Sequence, residues 1–403
     1  MRDLIRGSLI MFTAADSKWM AHALRLAERG LYTTSPNPRV GCLLVKNGTI
    51  VGEGWHQYAG EPHAEVHALR AAGEAARDAT AYLTLEPCSH HGRTPPCADA
   101  LIQAGVARVV VAVHDPNPQV AGAGIKRLRV AGITVDVGLM ESAAQELNIG
   151  FFSRMTRGTP WLRCKIAMSL DGGTALHNGT SKWITSEAAR QDVQHWRARS
   201  CAVLTGIGTV LADDPQLNVR AFAKEEDAPP PVKNGQEGLP RVRQPLRVLL
   251  DSKLKLPLTV KILHLLPSLS GQGGEGTLLI YTATHNEQKI SALENLGAQV
   301  VILPNAEGRV DLSAVLRDLA VRGCNEILLE AGSKLNGAFL RAGAIDEFVL
   351  YIAPQLLGDM ARGVAQLGEL TALDQRVELN WRDVRNVGKD LRVVVRVTKG
   401  SNV

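Results

Sequence analysis

Short apolar runs alternate with amphipathic helical segments along nearly the whole chain, and this alternation commits it to layered α/β folding. At 403 residues the chain exceeds one ordinary core, so two domains are expected. Residues 17–29 carry a helical stripe of Trp19, Ala23, Leu26 and Ala27, with Asp16 or Ser17 as the cap and Gly30 as the stop. Two strand-like runs, 40–45 and 49–55, flank Asn47-Gly48, the strongest short hairpin signal. Helical patterns follow at 63–76, 98–104, 122–131 and 141–155, and strands at 81–85, 108–113 and 133–137. That order predicts a three-layer domain. Gly158-Thr159-Pro160 marks the boundary, which gives domains over 16–158 and 159–403.

The second half restarts the alternation. Strands are predicted at 161–168, 201–205, 246–250, 277–281, 298–303, 326–329 and 345–352, and helices at 186–199, 286–295, 312–321 and 333–342. Residues 221–244 are rich in proline, glycine and charge, and read as a mobile surface insertion without a catalytic role; 271–276 is a shorter one. No apolar run approaches the roughly 20 residues needed to span a bilayer. Residues 1–15 lack the cleavage pattern of a signal peptide, so the cytoplasm is the expected location. A net charge of +5 suits anionic small substrates as well as nucleic acid. Of the six cysteines only Cys88 and Cys97 are close in sequence, which fits a metal pair in a reducing compartment and not a disulfide scaffold.

The residues around that pair carry the chemistry. His63-Ala64-Glu65 stands at the predicted start of a helix, Glu86-Pro87-Cys88 follows a strand, and Cys97 comes nine residues later. One histidine and two cysteines leave a fourth tetrahedral position for water, the mark of a catalytic zinc site and not a closed structural one. Zinc lowers the pKa of its water to roughly 7. Glu65 is placed to move protons: from that water to the ring nitrogen and the leaving amine of a substrate. His-x-Glu with Pro-Cys is the signature of zinc deaminases, although here eight residues separate the cysteines where the general form has two. That loop holds His90, His91 and Arg93, and a guanidinium there suits a phosphate.

In order, Asn37-Pro38, Val40-Gly41, His63-Ala64-Glu65-Val66-His67-Ala68, Leu85-Glu86-Pro87-Cys88-Ser89-His90, Thr94-Pro95-Pro96-Cys97 and Asp115-Pro116-Asn117-Pro118 resemble the bifunctional riboflavin-biosynthesis deaminase/reductase family. The likeness continues through Ser169-Leu170-Asp171-Gly172, Ser181-Lys182-Trp183-Ile184-Thr185, Asp213-Asp214-Pro215 and Glu330-Ala331-Gly332. The resemblance implies a cytidine-deaminase-like three-layer domain followed by a dihydrofolate-reductase-like α/β domain, in a homo-oligomer (dimer or tetramer). It further implies Zn2+ and NADPH as cofactors and a phosphorylated pyrimidine as substrate. The first domain would deaminate 2,5-diamino-6-ribosylamino-4(3H)-pyrimidinone 5′-phosphate at its C2 carbon, and the second would reduce the ribosyl group to ribityl.

By position in the family's motifs, His63, Cys88 and Cys97 would hold zinc and Glu65 would be catalytic, while Asn37, His56, His90 and Arg93 would contact the nucleotide, Arg93 toward its phosphate. Ala167, Trp183, Thr209, Asp213 and Ser252 would contact the dinucleotide. So would the turn Gly332-Ser333-Lys334-Leu335-Asn336-Gly337-Ala338, whose amides open a helix and can face a pyrophosphate. Ser181, Arg197, Leu217, Arg220 and Glu330 would contact the substrate, with Lys165 beside it and the two arginines as partners for its phosphate. Gly173 stands where the family often has a basic residue, which bears on the choice between NADPH and NADH. Two other readings compete. A tRNA base deaminase with an accessory domain calls for a basic stripe, and the arginines here are scattered. A non-catalytic zinc module calls for a fourth ligand and gives Glu65 no role.

Overall fold

The computed structural model describes residues 12–89, 96–220, 243–263 and 277–398. The chain divides into two compact units, Met1–Arg157 and Gly158–Val403. Residues 221–242 and 271–276, expected as insertions, lie outside the described residues, as does the segment before Phe12. No helix among the described residues is long and apolar enough to cross a membrane.

The first unit runs α1 (Ala14–Glu28), β1 (Gly41–Lys46), β2 (Thr49–Trp55), α2 (Ala64–Ala72), β3 (Thr80–Leu83), α3 (Cys97–Gln103), β4 (Arg108–Val111), α4 (Ala123–Val130), β5 (Thr134–Val137), α5 (Glu141–Leu147) and α6 (Ile149–Arg157). Its sheet has the order β2-β1-β3-β4-β5. β1 is antiparallel to both its neighbours, and β3, β4 and β5 are parallel. Alternate residues of each strand enter different cores, as the period of two requires. Cys42, Leu44, Leu83 and Val109 pack with Ala64 and Ala68 of α2, Leu101 of α3 and Ile125 of α4. Leu43, Val45, Tyr82 and Val110 pack with Met20 and Ala23 of α1 and Phe151 of α6. The expected three layers are therefore present.

Two helix details differ from the sequence reading. Thr13 is the cap of α1, and Asp16 is the reciprocal partner in a capping box that also binds the Tyr82 hydroxyl at 2.8 Å and Arg108 at 2.7 Å. The helix expected over 141–155 is two helices. Asn148 leaves the first because its side-chain amide clamps the backbone of Arg39, accepting from the N–H at 2.8 Å and donating to the carbonyl at 2.9 Å.

Glycines let helices touch the sheet by their backbones. A Cβ on Gly41 would lie 2.0 Å from the Ala23 carbonyl of α1, and one on Gly54 would lie 2.2 Å from the Ala64 carbonyl of α2. Gly54→Ala therefore forces α2, and Glu65 with it, off the sheet. The expected loss is about 1–3 kcal/mol, read by denaturant unfolding of the full chain; unchanged stability would show that the contact yields freely.

The second unit runs β6 (Trp161–Ser169), α7 (Glu187–Arg199), β7 (Ala202–Gly206), α8 (Ile207–Asp213), β8 (Leu246–Leu250), β9 (Leu278–Thr282), α9 (Glu287–Glu294), β10 (Gln299–Ile302), α10 (Leu312–Val321), β11 (Glu326–Leu329), α11 (Ser333–Arg341), β12 (Glu347–Ala353), β13 (Leu379–Val387) and β14 (Asp390–Val397). The sheet order is β10-β9-β8-β7-β11-β6-β12-β14-β13. Strands β10 through β12 of that order are parallel neighbours, and the terminal hairpin is antiparallel. Helix α8 and the β13–β14 hairpin are not marked in the sequence pattern. The first has only seven residues, and β13 is exposed on both faces, so it lacks the alternation of a half-buried strand.

Candidate active sites

In the first unit, two helix starts and a strand end converge. His63 is the N-cap of α2, Cys97 is the first residue of α3, and Cys88 follows β3. His63 Nδ1 lies 3.6 Å from Cys88 Sγ and 3.3 Å from Cys97 Sγ, and the three donor atoms fall within 4.8 Å of one another. This donor set fits a tetrahedral zinc ion with one position left open. The Cys97 N–H donates to Cys88 Sγ at 3.3 Å. Hydrogen bonds from Cys97 and the neighbouring His63 pull the Cys88 thiol down to about 4, while the Cys88 thiolate and burial push Cys97 up. Glu65, in the first turn of α2, is 3 % exposed. Burial raises its pKa, opposed in part by His63, so this carboxyl is suited to hold and pass a proton.

Asn37 and His56 stand beside this group. His56 is buried, its Nε2 lies 3.1 Å from the Asn37 side-chain amide nitrogen, and its Nδ1 lies 3.2 Å from the Pro62 carbonyl. Its ring meets that of His63 edge-on at 5.4 Å. Burial lowers the His56 pKa to about 4. Both ring nitrogens of His56 therefore have protein partners. His90 and Arg93 lie outside the described residues.

In the second unit, a cavity of about 1990 Å³ opens at the carboxyl ends of the parallel strands, the usual ligand position of such sheets. It exceeds the roughly 1,000 Å³ upper size of a single small-molecule pocket, so a dinucleotide and a substrate can share it. Ala167, Trp183, Thr209, Asp213 and Ser252 line it, and so do Gly332, Ser333, Lys334, Leu335 and Ala338. Asn336 and Gly337 do not, contrary to the sequence reading. Asn336 donates to the carbonyls of Ala331 and Val364, and Gly337 lies so close to the Gln366 backbone that a Cβ would come within 2.1 Å of its carbonyl.

Lys165, Ser181, Arg197, Leu217, Arg220 and Glu330 also line the cavity. Every guanidinium nitrogen of Arg197, however, already has a partner within the protein. Its Nε and Nη2 donate to the Glu330 carboxylate at 2.6 and 3.0 Å, and its Nη1 donates to the Asn218 carbonyl at 2.9 Å. Lys165 Nζ stands 3.3 Å from the same carboxylate. Arg197 therefore braces Glu330. Trp183 is 67 % exposed, so it is no core tryptophan, and the Arg190 guanidinium lies 4.5 Å from its ring centre. The sequence reading missed Arg190; its signal is the spacing from Glu187 on one face of α7, which it pairs with.

Residues 13–113 match the cytidine and deoxycytidylate deaminase zinc-binding region, and residues 160–393 match the RibD C-terminal domain. With the sites above, these define the class: a zinc-binding deaminase and a nicotinamide-dependent reductase joined in one chain. The riboflavin biosynthesis protein RibD of Escherichia coli (strain K12) is 50% identical over 378 residues, 93% of this chain and 98% of that protein. A solved structure of Acinetobacter baumannii RibD superposes with a TM-score of 0.83 at 45% identity, covering 96% of this chain and 99% of that one. A Thermotoga maritima diaminohydroxyphosphoribosylaminopyrimidine deaminase/5-amino-6-(5-phosphoribosylamino)uracil reductase gives 0.78 at 31%, covering 95% and 99%. The chain belongs to the RibD family, the bifunctional deaminase/reductases of riboflavin biosynthesis. Relatives matching both units do not favour a tRNA base deaminase with an accessory domain.

Proposed function

We propose that the first unit deaminates the phosphorylated diaminopyrimidine nucleotide named for the Thermotoga relative, and that the second reduces the ribosyl chain of the product with NADPH. The observation that carries this is the pairing, in one chain, of an open three-donor site beside buried Glu65 with a cavity roomy enough for two ligands. The activities divide at 158/159. Zinc held by His63, Cys88 and Cys97 would polarise the attacking water and bring its pKa near 7. Glu65 would take one proton from the attacking water as oxygen adds to the C2 carbon and pass it to the ring nitrogen, then take the second from the new hydroxyl and deliver it to the amine, which leaves as ammonia. Asn37, held by His56, would orient the pyrimidine, and His90 and Arg93 would contact the nucleotide, Arg93 toward its phosphate.

In the second unit Trp183, Thr209, Asp213, Ser252 and the start of α11 would hold the dinucleotide, which would supply a hydride for the anomeric carbon of the ribosyl group as the opened ring oxygen takes a proton from water. Ser181, Arg220 and Lys165 hold the substrate. The protein is read as a cytoplasmic homo-oligomer acting on a small molecule, with neither nucleic acid nor membrane as partner.

A two-step assay on the full chain tests this reading. Ammonia release without cofactor, then NADPH oxidation only after deamination, is the expected result. Silence in both steps from protein shown to carry zinc would refute the substrate.

A further inference from the structure

The sequence marks two motifs that neither activity uses: the glutamate of Glu86-Pro87-Cys88 and the run Asp115-Pro116-Asn117-Pro118. The structure brings them together. Glu86 is buried, with none of its side chain exposed, and no lysine or arginine pairs with it among its described contacts. Its Oε2 accepts the backbone N–H groups of Asp115 at 3.2 Å and Gly122 at 3.0 Å, and its Oε1 those of Gly124 at 3.0 Å and Ile125 at 3.2 Å. His114 Nδ1 lies 3.4 Å from Oε2. One carboxylate thus gathers the 115–122 loop and the amino end of α4, where the helix dipole favours negative charge.

Helix α4 in turn touches both cysteine segments. Gly124 meets the Pro87 carbonyl so closely that a Cβ would come within 2.0 Å of it. Arg127 pairs with Asp99 in the first turn of α3 at 2.5 Å, and also reaches the Ser89 carbonyl at 3.4 Å. Between the two segments, the Ala98 N–H donates to the Cys88 carbonyl at 3.2 Å.

We infer that Glu86 is a positioning residue: by collaring the start of α4 it fixes Cys88 and Cys97 at the separation a shared metal ion needs. Without the carboxylate, four N–H groups lose their acceptor and α4 is free to shift against both segments. Outer partners of this kind set ligand geometry and commonly change metal affinity about 10–100-fold. The inference rests on reading His63, Cys88 and Cys97 as zinc donors.

The test is zinc competition against a chromophoric chelator, using the full chain, with Glu86→Gln and Gly124→Ala. Glutamine keeps the shape but turns an amide N–H₂ toward two of the N–H donors. Gly124→Ala pushes α4 from Pro87 without changing any charge, so it keeps the inference testable should Glu86→Gln fail to fold. Both variants are expected to bind zinc about 10–100-fold more weakly than wild type, while reduction of the deaminated nucleotide, supplied directly, is unchanged. Folded variants with wild-type zinc affinity and only a lower melting temperature would overturn the inference and leave the zinc site standing. A wild-type protein that takes up no zinc would overturn both.

Discussion

Replacing Glu65 by glutamine is expected to leave zinc bound and to cut ammonia release by about 10²- to 10⁴-fold, the range a positioned acid–base group supplies. The side chain is buried and keeps nearly the same volume in the amide, so packing is little disturbed. It lies outside the three-donor group, so the metal keeps its ligands. What disappears is the ability to accept and return a proton. Metal analysis and ammonia release on the same sample read the two halves of this expectation. Equal rates in the variant and the wild type would remove Glu65 from the mechanism and revive the non-catalytic zinc module. Loss of zinc would move Glu65 into the metal's structural support.

Glu330→Ala has the larger structural effect. Burial alone would push this carboxyl up, but Arg197 and Lys165 hold it well below the ordinary carboxylate range. Removing it leaves a buried guanidinium and an ammonium facing each other, which costs about 3–5 kcal/mol. For a unit of this size that lowers the melting temperature by about 6–20 °C. Reduction should fall too, because Arg197 and Lys165 line the same cavity. The sign of the pH dependence follows from the depressed pKa. The stabilisation is complete above the unfolded value of 4.5 and is lost only as pH falls through the lower folded value. Acid unfolding of the wild type should therefore carry a contribution below pH 4.5 that Glu330→Ala lacks. Identical acid transitions in the two proteins would show that the pair adds nothing to folding.

Legibility in the sequence followed physical range. The Asn47-Gly48 hairpin, the alternating cores of the first unit and the parallel strands of the second are written locally, in turn chemistry and period, and they stand where expected. What escaped depends on distant partners. The helix over 141–155 breaks because Asn148 binds Arg39, 109 residues away. Nothing near Arg197 in sequence announces that Glu330, 133 residues on, takes its guanidinium. The turn before α11 reads as one continuous phosphate cradle, yet a helix turns Asn336 and Gly337 to its buried side. The metal-donor candidates are legible because His-x-Glu and Pro-Cys are short local motifs; Glu86 is marked by the same motif, but its partners at Asp115, Gly122, Gly124 and Ile125 lie 29 to 39 residues away.

The buried His56 has a consequence for molecular recognition. The Pro62 carbonyl can only accept, so Nδ1 carries the proton of the neutral ring and Nε2 offers a lone pair. The Asn37 amide must then turn its N–H₂ toward His56, which fixes which end is left over: its carbonyl oxygen. In the pyrimidine contact proposed for Asn37, the side chain would then meet the ring as an acceptor. A ring edge bearing an N–H or amino group would be welcomed there, and one bearing a carbonyl repelled. Through Asn37, His56 would set the polarity of that contact.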